Sequence, residues 1–326
     1  MAQSGILLID KSEGWTSHDA VARTRRFLGT RKVGHAGTLD PMATGLLVLG
    51  AESSTRLLTY LVGLDKEYET VIRLGISTVT DDREGTATAV GDPYLIAKLS
   101  PAAIAAEAAK LTGDIQQAPS AVSAIKVDGR RAYDRVRAGE DVELPKRPVT
   151  VHEFELGEMR VERLSDAVTV VDIPARVRCS SGTYIRALAR DLGAALGVGG
   201  HLISLRRTRV GPFQVTDARS IEDLDAAANP AAGDVAADPA SFLLDPAEVA
   251  RGLFPALELS EQQAIDLGQG KKLDVPDAPD AEIAAAIAPA GSLVGLVRIR
   301  AGKTRVLVNF PSGRGAAAIP AGGDRG

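Results

Sequence analysis

Cysteine is almost missing from this chain: Cys179 is the only one in 326 residues, so no internal disulfide can form. The opening stretch MAQSGILLIDKSEG meets charge after a few apolar residues, unlike a secretory signal, and a cytoplasmic location is expected. No uncharged apolar run is long enough to span a membrane; the best candidate, IAAAIAPAGSLVGLV, is broken by Pro289 and Gly291. Metal-ligand spacing is missing too, since His18, His35, His152 and His201 are scattered and Cys179 stands alone. The expectation is a soluble protein with no metal and no membrane partner. Any chemistry then falls to carboxylates, tyrosine, lysine and arginine.

A large excess of positive charge is also missing. The net charge is −4, but its distribution decides binding. Residues 1–215 carry 28 Lys and Arg against 26 Asp and Glu, whereas residues 216–326 carry 10 against 16. Within the first part, SAIKVDGRRAYDRVRAG holds Lys126, Arg130, Arg131, Arg135 and Arg137 against Asp128 and Asp134. On charge alone this is either a solvated face or a phosphate-binding patch.

The hydrophobic pattern mixes strands and helices without a regular βαβ rhythm. GILLID, TGLLVLG, VTVHEFEL, VTVVDIPARVRC and HLISLRRTRV read as strands. In KEYETVIRLG the alternation places Lys66, Tyr68, Thr70, Ile72 and Leu74 on one face. SHDAVARTRRFLG reads as a helix capped by Ser17, SPAAIAAEAAKLTG as one capped by Ser100 with Pro101 in its first turn, and SSGTYIRALARDLGAALG as a third. The class implied is α+β with a large mixed sheet. The Ala/Pro/Asp stretch DAAANPAAGDVAADPA reads as a linker, placing a first domain at 1–235 and a smaller unit at 236–311. The latter opens with the capping-box helix SEQQAIDLGQG and ends in a hairpin turning at Ala301 to Lys303, and residues 312–326 are expected to be disordered.

GHAGTLDPMATGLLVLG poses the chemical question. It has neither the Lys-Ser/Thr of a phosphate loop nor dinucleotide-fold spacing. Pro41 pushes Asp40 out of helical conformations and holds it on a bend. There Asp40 either builds an Asx turn or stands exposed as a nucleophile or a stabiliser of a developing sugar cation.

Taken together and in order, GILLIDKSEGWTS, GHAGTLDPMATGLL, KEYE, SAIKVDGRRAYDRVRAG, SGTYIRALARDLG and HLISLRRTRVGPF closely resemble the TruB family of tRNA pseudouridine synthases, from Gly5 to about Phe213. The resemblance implies a catalytic domain with a mostly antiparallel sheet flanked by helices, an RNA-binding insertion at about 120–150, and a small C-terminal PUA-like domain. It implies a metal-free, cofactor-free isomerisation of a T-loop uridine in tRNA, with the T stem-loop as partner; a monomer is the default expectation, since nothing in the chain advertises a symmetric interface. By motif, Asp40 resembles the catalytic aspartate, Tyr68 the active-site tyrosine and Arg186 the arginine paired with the aspartate. Tyr184 would pack beneath the site, Leu205 would wall the base pocket, and Lys11 would frame its floor and pair with a site carboxylate. His35 would enter the space left by the flipped base. Lys126, Arg130 and Arg131 would contact phosphates. A T-arm RNA-binding and tRNA-folding chaperone, with catalysis secondary, is the alternative reading.

Two features depart from the pattern. Ser12 and Trp15 replace a common proline and a smaller apolar residue, which predicts an altered loop. Residues 216–282 hold 4 basic against 15 acidic groups, leaving Arg298, Arg300, Lys303 and Arg305 of the hairpin as the C-terminal candidates for RNA contact.

Overall fold

The computed structural model describes residues 3–120, 126–127, 130–131, 145–228 and 238–310. In chain order the first elements are β1 (Gly5–Lys11), α1 (Ser17–Phe27), β2 (Val33–His35), β3 (Thr44–Ala51), α2 (Leu58–Val62), β4 (Lys66–Leu74), β5 (Ile76–Thr78) and β6 (Ala87–Val90). Then come α3 (Pro93–Ala97), α4 (Pro101–Lys110), β7 (Gly113–Gln117), β8 (Lys126–Val127), β9 (Arg130–Arg131), β10 (Arg147–Leu156), β11 (Arg160–Arg163), β12 (Thr169–Cys179), α5 (Ile185–Ala195) and β13 (Gly200–Val210). The rest are β14 (Phe213–Gln214), β15 (Arg219–Ser220), α6 (Ile221–Ala228), α7 (Pro246–Leu253), β16 (Ala256–Glu258), α8 (Glu261–Gly268) and β17 to β19 (Ala281–Ile287, Leu293–Arg300, Lys303–Asn309).

The main sheet runs β15-β1-β3-β13-β4-β12-β10-β7, and its neighbours are antiparallel except β1 with β15 and β3 with β13. The continuous apolar runs of β1 and β3 follow from burial on both faces. Leu7, Ile9, Leu47 and Leu49 join the core beneath α1 and α5, while Ile6, Leu8, Leu46 and Val48 join a second core on the other face. β4 alternates as predicted, with Lys66, Tyr68, Thr70, Ile72 and Leu74 buried.

The second core contains residues of two sheets. β16 to β19 do form a separate four-stranded sheet, and Ser260 and Gln263 form the predicted capping box. Yet Ala285, Ile287 and Leu296 of that sheet share one core with Ile6 and Val48, through Ala247, Val249 and Ala250 of α7. Leu244 also exchanges main-chain hydrogen bonds with Ile6, at 3.0 and 2.7 Å. The stretch around the predicted 235/236 boundary lies outside the described residues, as does the predicted tail from 312 onward. β8 pairs with β9 as a short hairpin inside the predicted insertion, but Arg147 onward belongs to the main sheet.

One row across this sheet builds the site. Lys11 pairs with Gly45, Gly45 with Arg207, Arg207 with Tyr68, and Tyr68 with Val177. Gly45 has φ +99, and a Cβ there would sit 2.3 Å from the Arg207 carbonyl oxygen. Only glycine accepts both the conformation and the approach of the neighbouring strand. Gly45→Ala is therefore expected to lower the unfolding free energy by about 3 kcal/mol or more in urea denaturation, because backbone strain and a main-chain clash coincide. An unchanged midpoint would contradict this account of the strand contact.

Candidate active site

Asp40 sits on the predicted bend, its carbonyl accepting from the Ala43 amide at 3.1 Å. What holds the surrounding loop is a set of buried polar groups outside it. The Lys11 ammonium is inaccessible to solvent and donates to the carbonyls of Ser12 (3.0 Å), Trp15 (2.7 Å) and Pro41 (3.3 Å). Arg207, 1% exposed, donates to the carbonyls of Leu46 (2.7 Å), Gly37 (3.1 Å) and Thr38 (3.4 Å). The Ser17 hydroxyl donates to Leu39 O at 3.1 Å and accepts from Leu39 N at 2.8 Å. Ser17 is thus not the predicted N-cap: Thr16 and Asp19 form a capping box on α1, leaving Ser17 to pin the loop. Lys11 likewise spends its donors on main-chain oxygens rather than on a site carboxylate. The departures at Ser12 and Trp15 matter little here, since Lys11 uses their main chain alone.

Arg186 enters from the first turn of α5. Its Nε lies 3.1 Å from Asp40 Oδ2, with 6% of the arginine side chain exposed against 38% of the aspartate's. Arg186 Nη1 donates to the Thr80 carbonyl at 2.7 Å and lies 3.4 Å from Asp82 Oδ2. Asp82 is itself buried and accepts from the Glu84 amide at 3.0 Å. One guanidinium therefore bridges an exposed and a buried carboxylate. Asp82 escaped the sequence reading because nothing in TDDREG distinguishes its buried aspartates from ordinary turn residues.

Asp40, Tyr68, Tyr184, Arg186, Leu205 and Arg207 line a cavity of about 310 Å³. Leu205 also walls an adjoining cavity of about 660 Å³ whose rim carries Arg83, Arg176 and Arg206. These arginines are paired, Arg83 with Glu13, Arg176 with Glu155 and Arg206 with Asp10. His35 does not line the Asp40 cavity: its ring meets His18 edge-on at 5.9 Å, and its Nδ1 is buried without a hydrogen-bond partner. Burial, aided by His18 and Arg207, holds the His35 imidazole below its usual pKa. The side chains of Lys126, Arg130 and Arg131 lie outside the described residues. In the C-terminal hairpin Arg298 and Arg300 both pair with Glu282, at 2.8 and 2.7 Å. Among the described residues no group of three or more His, Cys, Asp or Glu is arranged to hold a metal ion.

Lys66, also in the cavity wall, donates to the carbonyls of Val62 (2.8 Å) and Leu64 (2.6 Å) and to Ser181 Oγ (3.3 Å). Burial lowers both Lys11 and Lys66 to about 8, and it raises the Tyr68 phenol above its ordinary value despite the nearby Arg207. A lysine charged with difficulty in the fold and easily in the unfolded chain destabilises the fold below pH 8. Between pH 8 and 10.5 the unfolded chain binds the extra proton, so stability rises with pH. In urea unfolding, wild type should gain on the order of 3 kcal/mol relative to Lys11→Met across that window. A difference independent of pH would contradict the burial of a charged Lys11.

Residues 25–185 match the family model described as TruB family pseudouridylate synthase (N terminal domain). Residues 186–250 match the tRNA pseudouridylate synthase B C-terminal domain, and residues 254–311 match tRNA Pseudouridine synthase II, C terminal. A protein of Leifsonia xyli subsp. xyli named tRNA pseudouridine synthase B is 57% identical over 314 residues, covering 96% of this chain and 98% of the relative. A protein of the same name from Arthrobacter sp. is 52% identical over 317 residues, covering 95% and 97%. Among solved structures, the archaeal box H/ACA sRNP Nop10-Cbf5 complex contains a chain with TM-score 0.67 and 25% identity, covering 94% of this chain and 86% of that one. With the site's geometry and these matches in agreement along nearly its whole length, the chain belongs to the TruB family of pseudouridine synthases.

Proposed function

We propose that this pseudouridine synthase isomerises the uridine of the TΨC sequence in the T loop of tRNA, with Asp40 acting at the ribose. The observation that carries the reading is the Asp40–Arg186 pair, in which a buried guanidinium aims a carboxylate that stays open to the cavity. The relatives' name supplies tRNA as the substrate class. A base must leave its stack to reach a recessed carboxylate, and unstacking costs a few kcal/mol. His35, on the strand leading into the loop and outside the Asp40 cavity, is assigned to the vacated space by its motif, and Lys126, Arg130 and Arg131 are assigned to phosphates. The protein would work as a monomer in the cytoplasm, without metal or cofactor.

In the reaction the N1–C1′ bond breaks with its electron pair passing to uracil. Asp40 either attacks C1′ or takes the C2′ proton; both routes place the same carboxylate beside the ribose. Uracil turns between Tyr68 and Leu205, and C5 attacks C1′ as the Asp40–C1′ ester bond breaks or, on the other route, as Asp40 returns the proton to C2′; the C5 proton then leaves and N1 takes one up. Because burial keeps Tyr68 a neutral phenol, its ring serves first as a stacking surface. It can take the C5 proton only as its own passes to another acceptor.

Tritium release from C5-labelled uridine in a T-arm stem-loop tests this reading. Asp40→Asn should bind the RNA but release tritium more than about 1,000-fold more slowly than wild type, as expected when a reacting group is removed at nearly constant shape. Release at the wild-type rate would overturn the role of Asp40. Binding by both proteins with release from neither would favour the RNA-folding reading.

A further inference from the structure

Helix α5 starts without a side-chain cap of its own. Its N-cap residue, Tyr184, is extended at φ −97 and ψ 106, and no side chain of the cap bonds the first turn. Gln117, the last residue of β7 and 2% exposed, meets that residue from outside. The Tyr184 amide donates to Gln117 Oε1 at 2.8 Å, and Gln117 Nε2 donates to the Tyr184 carbonyl at 3.0 Å. A primary amide suits this pairing because it offers an acceptor and a donor side by side without charge.

A second stitch lies on the far side of Arg186. Arg190, one turn further along α5, donates from Nη2 to the carbonyl of Ala118 at 2.8 Å. Its Nη1 pairs with Asp81 Oδ2 at 3.2 Å, next to the Asp82 that faces Arg186. Asp81 holds φ +58, a left-handed conformation rare for a non-glycine residue and tolerated best by Asp and Asn. Gln117 and Ala118 thus grip the helix at Tyr184 and Arg190, with Arg186 between. Neither Gln117 nor Arg190 lines the Asp40 cavity.

We propose that Gln117 and Arg190 are positioning residues for the reaction, which fix the first turns of α5 and thereby the placement of Arg186 against Asp40. This rests on the reading of Asp40 given above. A small misplacement of a group that orients reacting atoms can cost on the order of 100-fold in rate, so the effect belongs in kcat rather than in RNA binding.

The test is steady-state kinetics on the T-arm stem-loop with Gln117→Ala, Gln117→Glu, Arg190→Met and the Gln117→Ala/Arg190→Met pair, with Asp40→Asn as control. Gln117→Ala and Arg190→Met should each lower kcat by roughly 10- to 100-fold with KM within about two-fold of wild type, and the pair should lose less than the product of the two. Gln117→Glu keeps the acceptor but, when ionised, lacks the donor. Its kcat relative to wild type should recover as the pH falls and the acid regains a proton, a rescue that general loss of structure would not give. Unchanged kcat in Gln117→Ala beside an inactive Asp40→Asn would overturn this proposal alone. So would a change confined to KM, or a Gln117→Glu variant whose deficit ignores pH. An active Asp40→Asn would overturn the Asp40 reading and this proposal together.

Discussion

Main-chain carbonyls of the Gly37–Leu46 segment are held by two cations that the fold has removed from water. An unpaired buried charge is costly, and Lys11 and Arg207 offset that cost by donating to three carbonyls each. The dependence runs both ways, because each carbonyl loses a partner if its cation is removed. The segment's own apolar side chains, Leu39, Met42 and Ala43 in one core and Leu46 in the other, are buried, and these polar ties define the path of the main chain between them. Gly45 makes the arrangement possible, since a side chain between Lys11 and Arg207 would push β3 away from β13. The Asp40 carboxylate takes its position from this frame and from its pair with Arg186.

The second constraint meets the first at Asp40. Arg186 comes from the start of α5, across the cavity, and reaches two carboxylates with different exposures. The buried Asp82 fixes one side of the guanidinium, so the exposed Asp40 is paired without being enclosed. Tyr68 and Leu205 supply an apolar wall between the two anchors. A pocket with a fixed carboxylate, buried cations in its wall and the flat ring of Tyr68 beside Leu205 suits a planar base.

Much of this was legible from the chain, for identifiable reasons. Tyr68 and Lys66 declared their face by strict alternation along β4. Asp40 was marked as a bend by Pro41, and Arg186 was named through the resemblance of SGTYIR to the family motif. Arg207 was not legible, because register shifts in β13 between Leu202 and Ser204 and between Arg207 and Arg209 interrupt the alternation. Ser17 and Gln117 act through side-chain bonds to main chain that is distant in sequence, and no local pattern encodes those partners. The shared core of the two sheets escaped for a similar reason: Ile6 and Ala285 are each ordinary strand residues until the fold brings them together.

Amide hydrogen exchange in Arg207→Met, followed residue by residue, tests most directly whether buried cations hold the loop of Asp40. The Leu39 and Ala43 amides, bonded to Ser17 Oγ and to the Asp40 carbonyl, should exchange at least about ten-fold faster, while Leu47 and Leu49 in β3 keep their protection. Wild-type protection at Leu39 and Ala43 in the folded variant would mean that the loop holds its own shape, contradicting the account.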